Sequence, residues 1–231
     1  MKNVILDLRA NEKTVYTLEN MGFNVVPTVK IDNLYDDVAT HADMQIAYMG
    51  GDVYVSSPEV YDYYRKKLIG SKVICGNSEI GGKYPYDICY NTAVLGNMGI
   101  CYEKYTDKIL LSHLKKVINV RQGYSKCSTC IVSKNAIITA DTGIYKAAES
   151  NGIEVLYINN DGIHLRSGRI GFIGGVSGLI DKGTLAFNGD INRHSDSNII
   201  KDFCKNKNVE IVCLKDGELE DIGTITVNYD I

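Results

Sequence analysis

The apolar and polar positions along the chain repeat one order. A short strand rich in β-branched residues comes first, then an amphipathic helical stretch, then a second apolar strand. The spacing predicts helices over 11–21, 58–68, 107–116, 143–150 and 195–205. Each leads into a strand: FNVVP at 23–27, KVICG at 72–76, VINV at 117–120, IEVLYI at 153–158 and VEIVCL at 209–214. Gly22, Gly70 and Gly152 stand where helices stop, as left-handed caps require. Before the helices lie VILDL, DVYVSS, GICYEK, AIITAD and TLAFNGD. All but VILDL are second arms of hairpins with readable turns: Gly50-Gly51, Gly96-Asn97, Lys134-Asn135 and Asp181-Lys182-Gly183. Their first arms are MQIAYM, CYNTAVL, CSTCIVS and GGVSGLI.

A fifth first arm, 221–227, has no strand after it, and VILDL at the other end of the chain has none before it. Joining them completes the pattern. The expected fold is therefore α/β, one domain over 1–231: a five-module ββαβ propeller closed by pairing of the N- and C-terminal strands, which removes a free sheet edge. The helix-following strands recur at an average of about 46 residues, the size of one supersecondary repeat. An open three-layer α/β sheet would need parallel strands without hairpins, so the four turns speak for the ring.

Composition narrows the class of function. Lys and Arg total 25 against 28 Asp and Glu, with no concentrated basic face, so nucleic acid is not an expected partner. No run approaches the length of a membrane span, and MKNVILDLRANEK lacks the apolar core of a secretory signal. Seven irregularly spaced cysteines argue against a disulfide framework and for a reducing, cytoplasmic location. Sixteen tyrosines against four phenylalanines are unusual, and Tyr61, Tyr63 and Tyr64 crowd one helix. A phenol can bury its ring and keep its hydroxyl wet, so such a surface suits an oligomer contact.

In such a ring the first arms lie nearest the axis, where a ligand would bind. Polar residues interrupt their approaches: His41-Ala42-Asp43-Met44-Gln45, Asp87-Ile88-Cys89-Tyr90-Asn91, Lys126-Cys127-Ser128, Gly174-Gly175-Val176-Ser177 and Asp221-Ile222-Gly223. Alternation puts His41, Asp43 and Gln45 on one strand face. Ionisable groups on one axis are either satisfied polar residues at strand ends or serve chemistry.

A five-fold ring of ββαβ modules with a His-x-Asp strand resembles the pentein, or guanidino-group-modifying enzyme, fold. QGYSKCS, FIGGVS, NGDINRH and DIGTI also resemble an uncharacterised bacterial family assigned to that fold. The fold-level resemblance covers the whole chain. It implies that His41, in His41-Ala42-Asp43, is a general acid/base and that Asp43 grips a guanidinium, as in arginine deiminases, agmatine deiminases and amidinotransferases. Those enzymes take their nucleophilic cysteine from a Gly-rich segment before the final strand. The matching segment here, Glu220-Asp221-Ile222-Gly223-Thr224, holds no cysteine.

The chemistry implied needs a thiolate to attack the guanidinium carbon, a His to protonate the leaving amine and carboxylates to hold the planar cation. Cys127 is the candidate nucleophile; Lys126 beside it favours a thiolate, while alternation would send Lys126 to the other face. Cys89 holds the analogous place in the preceding module. The candidate substrate-binding set is Asp43, Gln45, Asn91, Ser128, Asp190 and Asp221, with His194 a second acid/base candidate. Asp190 and His194 equally fit helix initiation with Ser195 as cap, and Asp7, Ser56 and Asp141 hold the corresponding place in other modules. Cys213 reads as core, His113 as helical and His164 as loop. Cys127 and Cys130 run into a strand that throws their sulfurs to opposite faces, which discounts a redox or zinc pair. FIGGVSG does not lead into a helix, so it is no dinucleotide fingerprint. Gly174-Gly175 means close backbone approach, or room for a ligand. No metal set and no cofactor motif is read.

Two readings of function stand. One is a guanidino or amidine hydrolase or transferase with His41, Asp43 and Cys127 in these roles. The other is a pentein without catalysis that binds a small molecule or a protein.

Overall fold

The computed structural model describes residues 2–229. It opens with β1 (Lys2–Leu6), α1 (Glu12–Asn20) and β2 (Phe23–Pro27), β2 running parallel to β1. A long segment and a single helical turn, α2 (Ala42–Gln45), lead to the hairpin β3 (Ile46–Gly50) and β4 (Val53–Ser56). Then α3 (Pro58–Lys67) crosses to β5 (Lys72–Cys75), parallel to β4. The same order returns in β6 (Ala93–Leu95), β7 (Met98–Cys101), α4 (Lys108–Ser112) and β8 (Lys116–Asn119). It returns again in β9 (Thr129–Ser133), β10 (Ala136–Thr139), α5 (Thr142–Ser150) and β11 (Glu154–Tyr157). After the short β12 (Ile163–His164) come β13 (Ser177–Asp181), β14 (Thr184–Phe187), α6 (Ser197–Asn206) and β15 (Glu210–Cys213). The chain ends in β16 (Leu219–Glu220), parallel to β12, and β17 (Thr226–Val227). β17 pairs antiparallel with β1, Val4 opposite Val227 and Ile5 opposite Thr226, so the two chain ends complete a fifth three-stranded sheet.

The helices follow from their sequences. α1, α3, α5 and α6 each bury residues four apart: Thr14 and Leu18, Val60 and Tyr64, Ile144 and Ala148, Ile200 and Cys204. That spacing lays one narrow stripe against the sheet. Asn11, Asp107 and Asp141 cap α1, α4 and α5 by accepting backbone N–H bonds, and Gly22, Gly70 and Gly152 take the left-handed conformation just beyond helix ends. The Tyr63 and Tyr64 hydroxyls are engaged within the chain, donating to Pro27 O and Gln45 Oε1.

Several expectations need correction. The approaches to the first arms are turns, not strands: Asn91 N bonds Ile88 O, Ser128 N bonds Tyr124 O and Val176 N bonds Phe172 O. Residues 42–45 are helical, so strand alternation does not order His41, Asp43 and Gln45. Polar and glycine residues there close local hydrogen bonds instead of extending a ladder. α4 stops at Ser112, because Leu114 drops onto Gly99, where a Cβ would collide with its side chain. α6 begins at Ser197; His194 Nδ1 accepts the Asp196 N–H, and Ser195 caps nothing. Asp7 and Ser56 cap no helix. Cys213 is exposed rather than core, and His164 lies in β12 rather than in a loop. No helix among the described residues is long and apolar enough to cross a membrane, and all seven cysteines are free.

Candidate active site

Three turns from distant parts of the sequence meet below one cavity. The first ends at His41 and α2, the second is 124–128 and the third is 221–224. The cavity, about 80 Å³, is lined by residues of all five first arms, among them Ile46, Val94, Ile131, Leu179 and Val227. Asp43 and Lys126 bring a carboxyl group and an amine to its lining, beside the phenols of Tyr48, Tyr90 and Tyr229.

Backbone bonds lock the turns together. Gly175 N donates to Cys127 O, while Gly175 O accepts from Ile222 N and Thr224 N, and Asp43 N donates to Gly223 O. Gly174 and Gly175 are required here: a Cβ on Gly174 would overlap the carbonyls of Lys126 and Cys127, and one on Gly175 would overlap the Asp221 carboxylate. Of the two meanings the sequence left open for these glycines, close backbone approach is the one observed.

At the centre the Cys127 thiol donates to Asp43 Oδ2 at 2.7 Å. Asn91 Nδ2 lies 3.4 Å from the same sulfur, and its Oδ1 accepts the Lys126 N–H at 2.7 Å. One amide therefore orients both the turn and the thiol. His41 is buried with Nδ1 3.9 Å from Asp221 Oδ1 and Nε2 3.9 Å from Asp7 Oδ2. Neither distance is a hydrogen bond, and His41 Nδ1 and Asp43 Oδ1 have no partner among the described residues. Asp221 is fixed by the N–H groups of Phe172 and Gly223. Asp7 accepts from the Thr40 hydroxyl and the Arg9 backbone.

Burial dominates the electrostatics. It pushes Asp43 up to about 6, against the Cys127 hydrogen bond and Lys126, which favour the carboxylate. It raises Asp221 as well, His41 opposing. The Cys127 thiol is pushed well above its usual range by burial, then by the Asp43 and Asp221 charges. Burial lowers His41, opposed by Asp221 and Asp7, so the imidazole is neutral and able to accept a proton. Lys126 is lowered by burial against the pull of Asp43 and its neighbours.

The remaining candidates lie elsewhere or are already committed. Gln45 is buried, but its amide is spent on Val29 and Tyr64, so it braces the segment before α2. Ser128 Oγ is buried without a partner among the described residues and borders a separate small hollow with Phe172 and Asn160. Cys89 donates to Tyr86 O, and burial raises it to about 11. Asp190 caps the turn Ile191–Arg193, held below its usual range by the Asn192 N–H. His194 is buried beside Asp196, among groups unconnected to His41. Asp7 is a neighbour of His41 that the local sequence pattern did not single out. Its signal was its place at the end of the second arm in the module the chain ends share. Thr224 was passed over too; its hydroxyl accepts a Lys126 Nζ hydrogen at 2.6 Å and donates to Ser177 O.

His41, Asp43 and Cys127 offer a nitrogen, a carboxylate oxygen and a sulfur, all within 4.8 Å of one another. Those are donor types a zinc ion accepts; among the described residues no fourth ligand joins them.

The fold is shared with known proteins. Residues 5–226 match the model of a family of unknown function, DUF6873. The chain belongs to that family. None of the curated proteins matches the sequence. Among solved structures, agmatine deiminase of C. jejuni is similar at 10% identity and a TM-score of 0.57, over 93% of this chain and 87% of that one. DDAH of Pseudomonas aeruginosa, a mutant complexed with citrulline, is similar at 8% identity and TM-score 0.56, over 97% and 96%. An amidinotransferase of Microseira wollei is similar at 9% identity and TM-score 0.52, over 92% and 88%. All three have the pentein fold, and so has this member of the DUF6873 family.

Proposed function

We propose that this chain is a single pentein domain, its five modules closed around one axis, that acts on a small guanidino or amidine compound as a hydrolase or amidinotransferase. The observation that carries the reading is the Cys127 thiol, held 2.7 Å from Asp43 with His41 beside both. A reducing cytoplasm suits its free thiols.

The residues divide the work by chemistry. Asp43 and Asp221 receive the planar cation, and Asn91 fixes the sulfur. Without substrate, burial and then the charges of the two carboxylates keep the thiol protonated; a bound guanidinium offsets the carboxylates' share and places a positive charge beside the sulfur, which favours the thiolate where it is needed. The thiol proton passes to neutral His41, and the sulfur lone pair adds to the guanidinium carbon. His41 returns the proton to the departing nitrogen as the C–N bond breaks, leaving an S-linked amidino group. Water or an acceptor amine releases that group and restores the thiol. Asp7 steadies the imidazolium formed midway.

A second reading rests on the same thiol. Cys127 is almost fully buried and held protonated, and 220–224 holds no cysteine, which suits a module that binds without reacting. Turnover distinguishes the two. With arginine, agmatine and an alkylguanidine, catalysis predicts ammonia release or amidino transfer. Cys127→Ala and His41→Ala each reduce it at least about a hundredfold. Turnover that survives both substitutions contradicts the roles given, and no turnover with any compound favours the binding module.

A further inference from the structure

The guanidino reading leaves Lys126 without a task. It sits in the 124–128 turn, half-buried, and with Asp43 lines a cavity walled mainly by apolar residues such as Ile46, Val94, Ile131 and Leu179. Its neutral amine is the form compatible with a guanidinium held at Asp43, since an ammonium there would repel that cation. Among the described residues its Nζ is aimed by one strong bond, to the Thr224 hydroxyl at 2.6 Å. Thr224 is itself pinned at a positive φ of 75° and tied to Ser177 O, so the amine is held rather than free to sweep through rotamers. Across the cavity floor, Asp43 Oδ1 is buried and unpartnered among the described residues. An amine held in a partly buried, mostly apolar pocket that also holds a carboxyl group able to exchange protons is the arrangement of a carbonyl-condensing lysine. Burial favours its neutral form, which carries the lone pair needed.

We propose that Lys126 is an imine-forming amine and that the cavity takes a small aldehyde or ketone with an apolar tail. The Nζ lone pair adds to the carbonyl carbon and the oxygen takes a proton, giving a carbinolamine. Asp43 then donates a proton to the departing hydroxyl, water leaves, and the C=N bond forms. No electrons are gained or lost. The tail lies along the aliphatic wall towards Tyr48 and Tyr229, where a second hollow bordered by Gly50, Gly51 and Gly96 adjoins the cavity.

The test uses the full-length chain, hexanal and cyanoborohydride, which reduces an imine to a stable secondary amine. Peptide mapping then finds the label as the mass of the aldehyde less one oxygen atom. The expected result is labelling of Lys126 at least about tenfold faster than of exposed Lys13, and faster with hexanal than with glyoxylate, which lacks the apolar tail. Labelling spread over surface lysines with Lys126 not ahead overturns the proposal; glyoxylate reacting as fast as hexanal overturns its ligand class. The readout is a mass on one lysine of the wild-type chain. It is independent of Cys127 chemistry and of whether any guanidino compound turns over.

Discussion

At the scale of single residues, Asp43 sets the terms of the site. Its carboxyl group is lifted from 3.8 to about 6, chiefly by burial. The folded chain therefore holds this proton more tightly than the unfolded chain does. Its contribution to stability is complete below about pH 4 and is lost as the pH rises through about 6. Asp43→Asn keeps an oxygen for the Cys127 thiol but removes the charge. Urea unfolding across the pH range should show the variant gaining on wild type by about 1–3 kcal/mol between pH 4 and pH 7. A difference that does not vary with pH would contradict the burial argument. His41, Asp43 and Cys127 were legible in the sequence as chemistry-bearing types at the approaches to apolar strands. Their mutual geometry was not, because it depends on turns whose bonds join residues some eighty positions apart. Lys126 shows the same limit: alternation sent it away from the axis, while the turn that replaces the strand brings it into the cavity.

At the scale of elements, the site is held by loops cross-linked through backbone and side-chain hydrogen bonds. Asp107 caps α4 through Ile109 N and Leu110 N while its other oxygen accepts from Asn77 N and Ser78 N. Asp107→Ala leaves several of these donors unpaired and should cost about 2–4 kcal/mol, seen as a lowered urea midpoint with unchanged slope. Gly223 is held more tightly still. It has a φ of +66°, and a Cβ there would overlap the His41 side chain. Gly223→Ala should displace His41, lowering turnover more than Asp107→Ala does and destabilising the fold by at least about 1–2 kcal/mol. Equal effects of the two on turnover would mean that the 221–224 turn does not position the imidazole. The helices and hairpins were readable because periodicity, caps and turn glycines are local signals. The failures, α4 ending early and α2 forming where a strand was expected, occur where a tertiary contact outweighs local pattern, as with Leu114 over Gly99.

At the scale of the whole molecule, the pairing of β1 with β17 was foreseeable by counting arms, since one first arm and one second arm were left over at opposite ends of the sequence. It makes the C-terminal strand part of the core: Val4, Leu6, Ile222 and Val227 pack in one cluster with Ala186. Val227→Asp places a charge there and should cost at least about 3 kcal/mol, read as one sharp unfolding transition at lower denaturant. An unchanged midpoint would mean that the chain ends are laid together without supporting the fold. The same joining of the ends brings Asp221 to His41, so architecture and chemistry stand or fall on one site. The most direct measurement is peptide mapping after exposure to chloroacetamidine, a small amidinium electrophile, with and without arginine or agmatine. Cys127 should be labelled ahead of exposed Cys75 and Cys213 despite its burial, and the guanidino compounds should protect it. Faster labelling of Cys75 and Cys213, with Cys127 unmodified and nothing protected, would contradict a guanidinium site beside an activated thiol.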